Sequence, residues 1–314
     1  MSTVVSNTCM NSNADHIVVK PMTVNTGAEI HGVDLSQPIC AAEVAVIRSA
    51  LLKWKVVFFR KQNLDHAQHI AFAKLFGELT PGHVVFGGDQ EYPEIYPVIK
   101  DRKSLAGRRK ALRTWTDWHT DITAAINPPS ASILRAVVVP EYGGDTQWSN
   151  MVAAYKSLSP PMQKFIETLR AVHQYNIADN TEGADEYNSM LANNRLVAEH
   201  PMVIVHHDTG EKALYTNPEF VDHVVDLTAG ESDALLHYLW EHSVRAEFSV
   251  RFRWEKGSIA FWDNRATQHI AIHDVYETDF DRTLYRITLN GTIPVGVDGQ
   301  QSTLISGNPI QATL

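Results

Sequence analysis

Two histidines and one aspartate are the clearest candidates for chemistry in this sequence. His119-Thr120-Asp121 places an imidazole and a carboxylate two residues apart, and His269 follows 150 residues after the first histidine. On a strand, residues i and i+2 point to the same side, so both side chains could reach one ion while Thr120 faces away. Two imidazoles and one carboxylate form the facial triad that holds non-haem Fe(II) and leaves the other positions open. The pattern predicts a mononuclear iron site.

Two other histidine positions compete with this interpretation. His206-His207-Asp208 repeats the motif just before Thr209-Gly210, where it is typical of a solvated turn. His273 lies four residues after His269 and is an alternative ligand. The residues alone leave both histidines open as ligands; His269 follows Trp262-Asp263-Asn264-Arg265, whose polar side chains could form a hydrogen-bonded turn. Asp263, Asn264 and Arg265 are therefore predicted to orient His269, as outer groups do at metal sites.

A pair of arginines points to an anionic ligand. Arg282 and Arg286 are four residues apart in an apolar strand, so they share one face, about 13 Å apart along the chain. Buried guanidinium groups need anionic partners, and their fork matches a carboxylate, sulfate or phosphate. Gly143-Gly144-Asp145-Thr146 could let the backbone approach such a ligand, with a hydroxyl beside it. The alternatives are a solvent-facing pair of arginines and an ordinary turn.

The elements that must position these residues are mostly short strands. Val56-Val57-Phe58-Phe59 is continuously apolar, which predicts a buried strand. Helical periodicity covers Ala41–Trp54, and residues 176–200 lack strong periodicity, which predicts a mobile insertion. Further helices are expected at 65–76, with Asp65 as the cap, at 159–173 and at 233–242, and further strands at 17–19, 29–33, 132–139, 203–205, 213–215, 248–252, 258–261 and 283–290. Many short strands without βαβ alternation favour a mainly β fold with peripheral helices, a double-sheet jelly roll.

Composition bounds the class of protein. The chain has 314 residues, 44% of them hydrophobic, and no segment resembling an interdomain linker. We expect residues 1–16 to be a flexible N-terminal tail, 17–298 a single jelly-roll domain and 299–314 a polar C-terminal tail. A net charge of -9 argues against nucleic-acid and membrane-surface binding. Two isolated cysteines and no recognisable signal peptide predict a cytoplasmic protein.

With these residues identified, the sequence resembles the Fe(II)/2-oxoglutarate-dependent taurine dioxygenase family, which includes alkylsulfatase and phenoxyacetate dioxygenase members. The likeness runs from about Lys20 to Pro294. It is carried by five motifs in order: Val56-Val57-Phe58-Phe59-Arg60, Phe76-Gly77-Glu78-Leu79, Trp118-His119-Thr120-Asp121, Gly143-Gly144-Asp145-Thr146, and Trp262-Asp263-Asn264-Arg265 through His269. The resemblance implies a double-stranded β-helix (jelly-roll) core.

The resemblance also implies a role for each candidate. His119, Asp121 and His269 would bind Fe(II), with 2-oxoglutarate and O₂ as cosubstrates. Thr146 and Arg282 would hold the distal carboxylate of 2-oxoglutarate. The remaining candidates all concern the substrate: Arg286 for its anionic group, His83 for a further contact, and Trp115, Asn217 and Phe220 for the pocket wall. Trp115 and Phe220 are equally compatible with core aromatics.

Two features depart from the family pattern. The spacing from His269 to Arg282 is 13, two longer than in the taurine enzymes, with Asp279-Phe280-Asp281 in the loop. Seven basic residues and one acid lie between Lys100 and Arg113, which indicates either a solvated loop or a cationic lid that steers an anionic substrate. The polar run 299–314 resembles tails of alkylsulfatase-type members.

The predicted activity is hydroxylation of a C–H bond in a small anionic organic substrate, with succinate and CO₂ as coproducts. The expected order of substrates is an alkyl sulfate ester or sulfonate, then an aryloxyalkanoate, then a natural-product acid or amino-acid derivative. A zinc hydrolase could use the same three ligands with a metal-bound water, and a non-catalytic jelly-roll binding protein is a third possibility. The family resemblance implies a homodimer or homotetramer.

Overall fold

A seven-stranded sheet forms the centre of the computed structural model, which describes residues 14–101, 117–176 and 184–313, without side chains for 184–187. Its strands, in spatial order, are β1 Val18–Pro21, β2 Ala28–His31, β3 Val56–Phe59, β13 Ile259–Asp263, β5 Ala131–Val138, β15 Arg282–Leu289 and β4 Tyr96–Lys100. Only the β2–β3 pair of this sheet is parallel. The sheet is therefore largely built from antiparallel pairs between segments distant in sequence.

The continuous apolar strands are buried on both faces of this sheet. Val57 and Phe59 of β3 pack in one core with helices α1 (Ala41–Trp54) and α2 (His66–Lys74). Val56 and Phe58 point the other way, into a second core. The prediction of a buried strand is confirmed, because each face of β3 is covered by a different layer.

The first two helices begin where the sequence predicts. Helix α1 has the predicted bounds. Helix α2 is shorter than the predicted span 65–76, and the Asp65 side chain accepts a hydrogen bond of 2.7 Å from the Gln68 backbone N–H at its start. This capping satisfies one of the helix's unpaired N–H groups.

A three-stranded sheet covers the second face. Its order is β12 (Ser249–Phe252), β6 (Thr146–Asn150), β14 (Thr267–Ala271). Trp148 of β6 is fully buried between the layers, and the Phe58 and Phe252 rings stack with centroids 4.1 Å apart. Aromatic packing of this kind fixes the small sheet against the large one.

A third layer completes the described structure. It contains a four-stranded sheet, a two-stranded sheet and four helices around a separate apolar core. The elements are β11 Val221–Val224, β7 Arg170–Gln174, β8 Val197–Pro201 and β16 Thr303–Ser306 in sheet order, then β9 Val203–Val205 with β10 Lys212–Leu214, and α3 Met151–Ser157, α4 Pro160–Ile166, α5 Ala184–Asn193 and α6 Ala229–Ser243. In the part of the chain that the model describes, no helix is long and apolar enough to cross a membrane.

Three expectations differ from the structure. The predicted helix over 159–173 ends at Ile166, and Arg170–Gln174 is strand β7, whose alternating burial is the signature of a half-covered strand. The predicted insertion at 176–200 contains α5 and β8. Within residues 299–314, predicted as a tail, β16 pairs with β8 and Ile310 is buried. Long-range pairing, which local composition does not report, decides the last two cases.

The N-terminal prediction falls mostly outside the described residues, which start at 14. Residues 14–16 form a turn in which the Ile17 N–H donates to the Ala14 carbonyl at 3.0 Å. The His16 ring lies 2.9 Å from the Glu43 carboxylate.

Candidate functional site

The two predicted histidine ligands lie opposite each other in a single antiparallel β-bridge. The His119 N–H donates to the His269 carbonyl at 2.9 Å, and the His269 N–H donates to the His119 carbonyl at 2.7 Å. This direct pairing puts both imidazoles on one side, with ring centroids 4.2 Å apart. His269 lies in β14 opposite Trp148 of β6, so the small sheet sets its position.

Asp121 reaches the same point by a different route from the one expected. It does not continue a strand from His119 but begins a turn, and Ile122 after it has a φ of 53°, in the left-handed region. His119 Nε2 lies 4.0 Å from Asp121 Oδ1. Thr120 turns away, and its hydroxyl donates to the Thr267 carbonyl at 2.7 Å. The convergence of the motif is as predicted, but a turn rather than a strand produces it.

The three residues fit a metal ion. One ligand atom from each of His119, Asp121 and His269 lies within 4.8 Å of the others. The His119 Nδ1 is 2.8 Å from the Asp117 carbonyl, which leaves Nε2 free. The Nδ1 of buried His269 has no hydrogen-bond partner among the described residues. Two imidazoles and a carboxylate, held close with free ligand atoms, are a donor set suited to Fe(II). His273, the competing ligand, is outside this cluster.

The electrostatics keep His269 and Asp121 in the forms that a metal requires. Burial, followed by the neighbouring His119, lowers the pKa of His269 to about 3, so its imidazole is neutral. Burial alone would raise the pKa of Asp121, but the Arg286 guanidinium, the two histidines and the Ser132 hydroxyl outweigh it and hold that pKa well below its usual range. Asp121 is therefore an ionised, acceptor-only group.

A chain of hydrogen bonds fixes the Asp121 carboxylate. Its Oδ2 accepts from the Ser132 hydroxyl at 2.6 Å, and Ser132 Oγ in turn accepts from the Asn264 amide at 2.8 Å. The Trp262 indole donates to Asn264 Oδ1 at 2.9 Å, which orients that amide. Asn264 therefore supports Asp121 through Ser132, whereas it was expected to orient His269.

Asp263 and Arg265, also expected beside His269, belong to a different network. Asp263 is fully buried and lies 2.8 Å from His206 Nε2, while Arg265 bonds to both Asp263 and Asp208. None of their described hydrogen bonds involves His269. The turn at residues 207–209 confirms that part of the prediction, but the solvated environment expected there is wrong for His206, which is 1% exposed.

The predicted 2-oxoglutarate residues converge at one end of β15. Arg282 is buried, so the solvent-facing alternative does not hold for it, and burial lowers its pKa to about 10. Its Nη2 donates to the Gly144 carbonyl at 3.2 Å, and its buried Nε has no partner among the described residues. The Thr146 hydroxyl accepts from the Trp254 indole at 2.9 Å, so its own hydrogen is free for another acceptor. Unpaired donors of this kind suit a carboxylate.

Gly144 is required at this end of the site. Its φ is 68°, and a Cβ there would lie 3.2 Å from Arg282 Nε and 3.2 Å from the side chain of Val275. The Asp274 carboxylate accepts a 2.7 Å hydrogen bond from the Gly144 N–H. The Gly-Gly pair thus lets the backbone pack against Arg282, whereas the close approach that the sequence predicted was to a ligand.

A short helix and a buried lysine hold the longer loop before Arg282. Residues His273–Glu277 form a short 3-10 helix that carries Asp274. Lys100, at the end of β4, is buried, and its ammonium donates to the Thr278 and Phe280 carbonyls at 2.7 and 2.6 Å. These contacts hold the longer loop in place, and Lys100 is accordingly not part of a solvated basic run.

Arg286 and His83 adjoin the metal ligands. Arg286 Nη1 lies 2.6 Å from Asp121 Oδ1, and its guanidinium carbon is 5.2 Å from the centroid of the Tyr96 ring. The His83 ring is 5.1 Å from the same ring, and burial followed by the charge of Arg286 lowers the pKa of His83 to about 3. His83 Nδ1 accepts from the Val85 and Phe86 N–H groups. This arrangement places a positive group and a neutral imidazole together.

The residues predicted for the pocket wall differ in their surroundings. The Phe220 ring centroid lies 6.4 Å from that of His119 and 5.0 Å from that of Tyr175. Asn217 is buried, accepts from the Phe220 N–H at 3.0 Å and donates to the Thr123 hydroxyl at 3.3 Å, so it holds this part of the chain in place. Trp115 and the basic residues 102–113 lie outside the described residues.

Four supporting residues were not anticipated: Ser132, Lys100, Asp274 and Glu219. Glu219 accepts from the Asp117 N–H at 2.8 Å, next to the carbonyl that faces His119, and burial raises the pKa of Glu219. None of the four stands in a motif with recognisable spacing. Each acts through a partner at least 11 positions away, which sequence spacing does not report.

Known proteins are similar to this chain in sequence and in architecture. Residues 19–288 match the family described as taurine catabolism dioxygenase TauD, TfdA. An alpha-ketoglutarate-dependent sulfate ester dioxygenase of Pseudomonas putida is 40% identical over 90% of this chain and 93% of its own. An alkylsulfatase of Acinetobacter baylyi is 34% identical over 93% of this chain and 90% of its own. The crystal structure of a taurine dioxygenase from Burkholderia xenovorans covers 94% of this chain and 96% of its own, at 51% identity and a TM-score of 0.81.

Proposed function

Since the chain belongs to the taurine catabolism dioxygenase TauD, TfdA family, we propose that it hydroxylates a C–H bond of an alkyl sulfate ester or a sulfonate. The chain is a 2-oxoglutarate-dependent non-haem iron dioxygenase, with Fe(II), 2-oxoglutarate and O₂ as its cofactor and cosubstrates. Relatives named for sulfate esters and alkyl sulfates, at 40% and 34% identity, support the substrate class. Membership of a dioxygenase family argues against the two alternatives, a zinc hydrolase and a non-catalytic binding protein.

The observation that carries the proposal is the contact between Arg286 and Asp121. A guanidinium group lies 2.6 Å from a metal-ligand candidate, is mostly buried, and has an Nε without a described partner. An anion bound to Arg286 would therefore lie next to a group that contacts the metal ligand Asp121 directly. Its adjacent carbon would face the reacting centre, which is the positioning that makes one C–H bond react.

We assign the remaining residues from the same geometry. His119, Asp121 and His269 hold the iron, while Thr146 and Arg282 hold the distal carboxylate of 2-oxoglutarate. When bound, Fe(II) and 2-oxoglutarate activate O₂ for C–H hydroxylation and yield succinate and CO₂. Ser132 and Asn264 keep the Asp121 carboxylate oriented, and the aromatic layer around Trp148 excludes water from His269. The protein thus contributes orientation, charge and a dry environment.

Hydroxylation leads to loss of sulfate when the reacting carbon bears the ester oxygen. The new C–O bond places two oxygens on one carbon. Collapse of this product breaks the bond to the ester oxygen and releases inorganic sulfate, an aldehyde or ketone, and a proton. Arg286 stays with the sulfate throughout, so it binds both the substrate and the leaving group.

Further predictions accompany this assignment. We propose that the large sheet and the three-stranded sheet together form a double-stranded β-helix, which their shared core supports. A cytoplasmic location and a homodimer or homotetramer stay predictions, as does a single domain that starts at residue 17.

Succinate formation tests the proposal. Purified protein is supplied with Fe(II), ascorbate, 2-oxoglutarate and air, and with alkyl sulfates, alkyl sulfonates or aryloxyalkanoates in turn. We expect sulfates or sulfonates to stimulate succinate formation, and Arg286→Gln to lose that stimulation while binding of 2-oxoglutarate is retained. Stimulation by carboxylates alone would replace the sulfate assignment with the aryloxyalkanoate or natural-product acid alternative.

A further inference from the structure

We propose that a cavity of about 520 Å³ beside His83 holds the hydrocarbon tail of the substrate, and that the C-terminal segment 306–311 sets the preferred tail length. This inference rests on the proposed function, because it extends the site from the anionic group to the rest of the molecule. The volume is within the range of sites for small organic ligands. Three separate segments line the cavity: residues 81–84, 192–196 and 306–311.

His83 borders the cavity on the side of the anion site. That side chain lines the cavity, and its ring lies 5.1 Å from Tyr96. The guanidinium carbon of Arg286 lies 5.2 Å from the centroid of the same Tyr96 ring. The cavity therefore lies two side chains, those of His83 and Tyr96, from the guanidinium that would bind the anionic end.

The wall of the cavity nearest the metal ligands is apolar. Ile122 and Ala125, in the turn after Asp121, pack with Ile310, and Val84 and Leu196 pack against them. Val84, Leu196 and Ile310 also line the cavity, one from each of its three segments. An apolar wall beside a cationic site is complementary to an alkyl chain that carries an anionic head.

The C-terminal segment is fixed firmly enough to act as a wall. Asn127 bonds to the Ile310 backbone in both directions, at 2.8 Å to the N–H and 3.0 Å to the carbonyl. The Thr313 N–H donates to the Leu79 carbonyl at 2.8 Å. Gly307 turns the chain with a φ of 93°, where a Cβ would lie 2.7 Å from the Arg195 carbonyl. Ile310 is consequently 5% exposed.

The outer part of the cavity is polar. Asn193, Asn194 and Arg195 line it and are exposed, and Asn308 and Gln311 lie on the opposite side. A chain that fills the apolar part therefore meets hydrated groups beyond it. We infer a preference for alkyl sulfates whose chain ends within the apolar part.

Chain-length profiles of two variants test the inference. The wild-type enzyme, Val84→Trp and Ile310→Ala are compared by kcat/KM for linear alkyl sulfates of increasing length. Val84 is only partly buried, so the larger ring can fill the cavity without opening the core. We expect Val84→Trp to lower kcat/KM for the longest esters about tenfold or more and for the shortest about twofold at most, since each displaced methylene is worth a several-fold loss. Ile310→Ala should move the optimum to longer chains.

Matched controls separate this effect from general damage. Val24→Trp, at a site 89% exposed, and Ile305→Ala, at a site 53% exposed, should leave the profile unchanged. An equal loss at every chain length in Val84→Trp, or an unchanged optimum in both cavity variants, would overturn the inference and leave the proposed function intact. Failure of the wild type to turn over any alkyl sulfate, with 2-oxoglutarate still bound, would instead overturn the proposed function and this inference with it.

Discussion

The chain contains the same three-residue motif twice, and the two copies have opposite surroundings. In His119-Thr120-Asp121, His119 Nε2 is free and faces Asp121 Oδ1 at 4.0 Å, with His269 beside both. In His206-His207-Asp208, His206 Nε2 lies 2.8 Å from Asp263, and its Nδ1 accepts from two backbone N–H groups. One motif keeps donor atoms available in a cluster, whereas the other uses them to satisfy buried groups.

The arginines near the two copies differ in the same way. Buried Arg282 has an Nε without a partner among the described residues, and its pKa is lowered to about 10 by burial. Arg265 bonds to Asp263 and Asp208, whose charges outweigh burial and raise its pKa. A buried cation without a protein anion is costly unless a ligand supplies the charge. The comparison teaches that incomplete hydrogen bonding distinguishes the ligand site from the structural network.

The largest effect is expected from changing the aspartate of each copy. Asp121→Asn should lower Fe(II)-dependent succinate formation more than about 100-fold, because a metal ligand contributes more than an outer contact. Asp208→Asn is the matched change in the second copy and should stay within about twofold of wild type. Turnover and iron binding are measured on both. Equal losses would mean that the two copies are not functionally distinct.

Arg282→Gln and Arg265→Gln test whether the two arginines have separate roles. The first should raise the KM for 2-oxoglutarate about 30-fold, since it removes a charge-assisted grip worth about 2 kcal/mol. The second should leave that KM unchanged and lower the free energy of unfolding, because Asp263 loses a buried partner. Steady-state kinetics and urea unfolding report the two quantities. A raised KM in Arg265→Gln would contradict the separation of the networks.

Ser132→Ala tests the support of Asp121. Loss of the 2.6 Å hydrogen bond should weaken Fe(II) affinity about tenfold, the lower end for a residue that orients a metal ligand. Iron titration of the folded protein measures the affinity. Ser157→Ala, whose hydroxyl bonds to the Ala154 carbonyl and lies near His242 in the other layer, is the control and should bind iron normally.

The smallest effect concerns acid stability near the second copy. Glu211 bonds to Lys55 and Lys156, and these cations outweigh burial and lower its pKa to about 2. A carboxyl whose folded pKa is depressed stabilises the protein above its unfolded pKa, near 4.5, and this stabilisation is lost as the pH falls toward 2. Glu211→Gln should therefore lower the free energy of unfolding at pH 7 by about 1 kcal/mol, given partial exposure, and by less at pH 3. Urea unfolding at the two pH values checks this; a difference that grows at pH 3 would contradict it.

Much of the site followed from short-range patterns. The His-x-Asp spacing, the Gly-Gly pair with Thr146, and the arginines four apart each lie within one turn or strand, where covalent geometry limits where side chains can point. The buried strand at Val56–Phe59 and the helix at Ala41–Trp54 were predictable for the same reason. The helix expected at 159–173 was wrong past Ile166, because pairing of Arg170–Gln174 with two other strands overrode its local preference.

The sequence by itself determined the identity and local spacing of the groups that do chemistry. Only the tertiary structure decided which histidine motif stays free, that Asn264 supports Asp121 through Ser132, and that Thr303–Ser306, within the predicted tail, form a strand. The physical reason is the range of the interactions. Local geometry fixes contacts between neighbours, whereas the buried hydrogen bonds that decide these cases join residues 11 to 132 positions apart, which meet only in the folded chain.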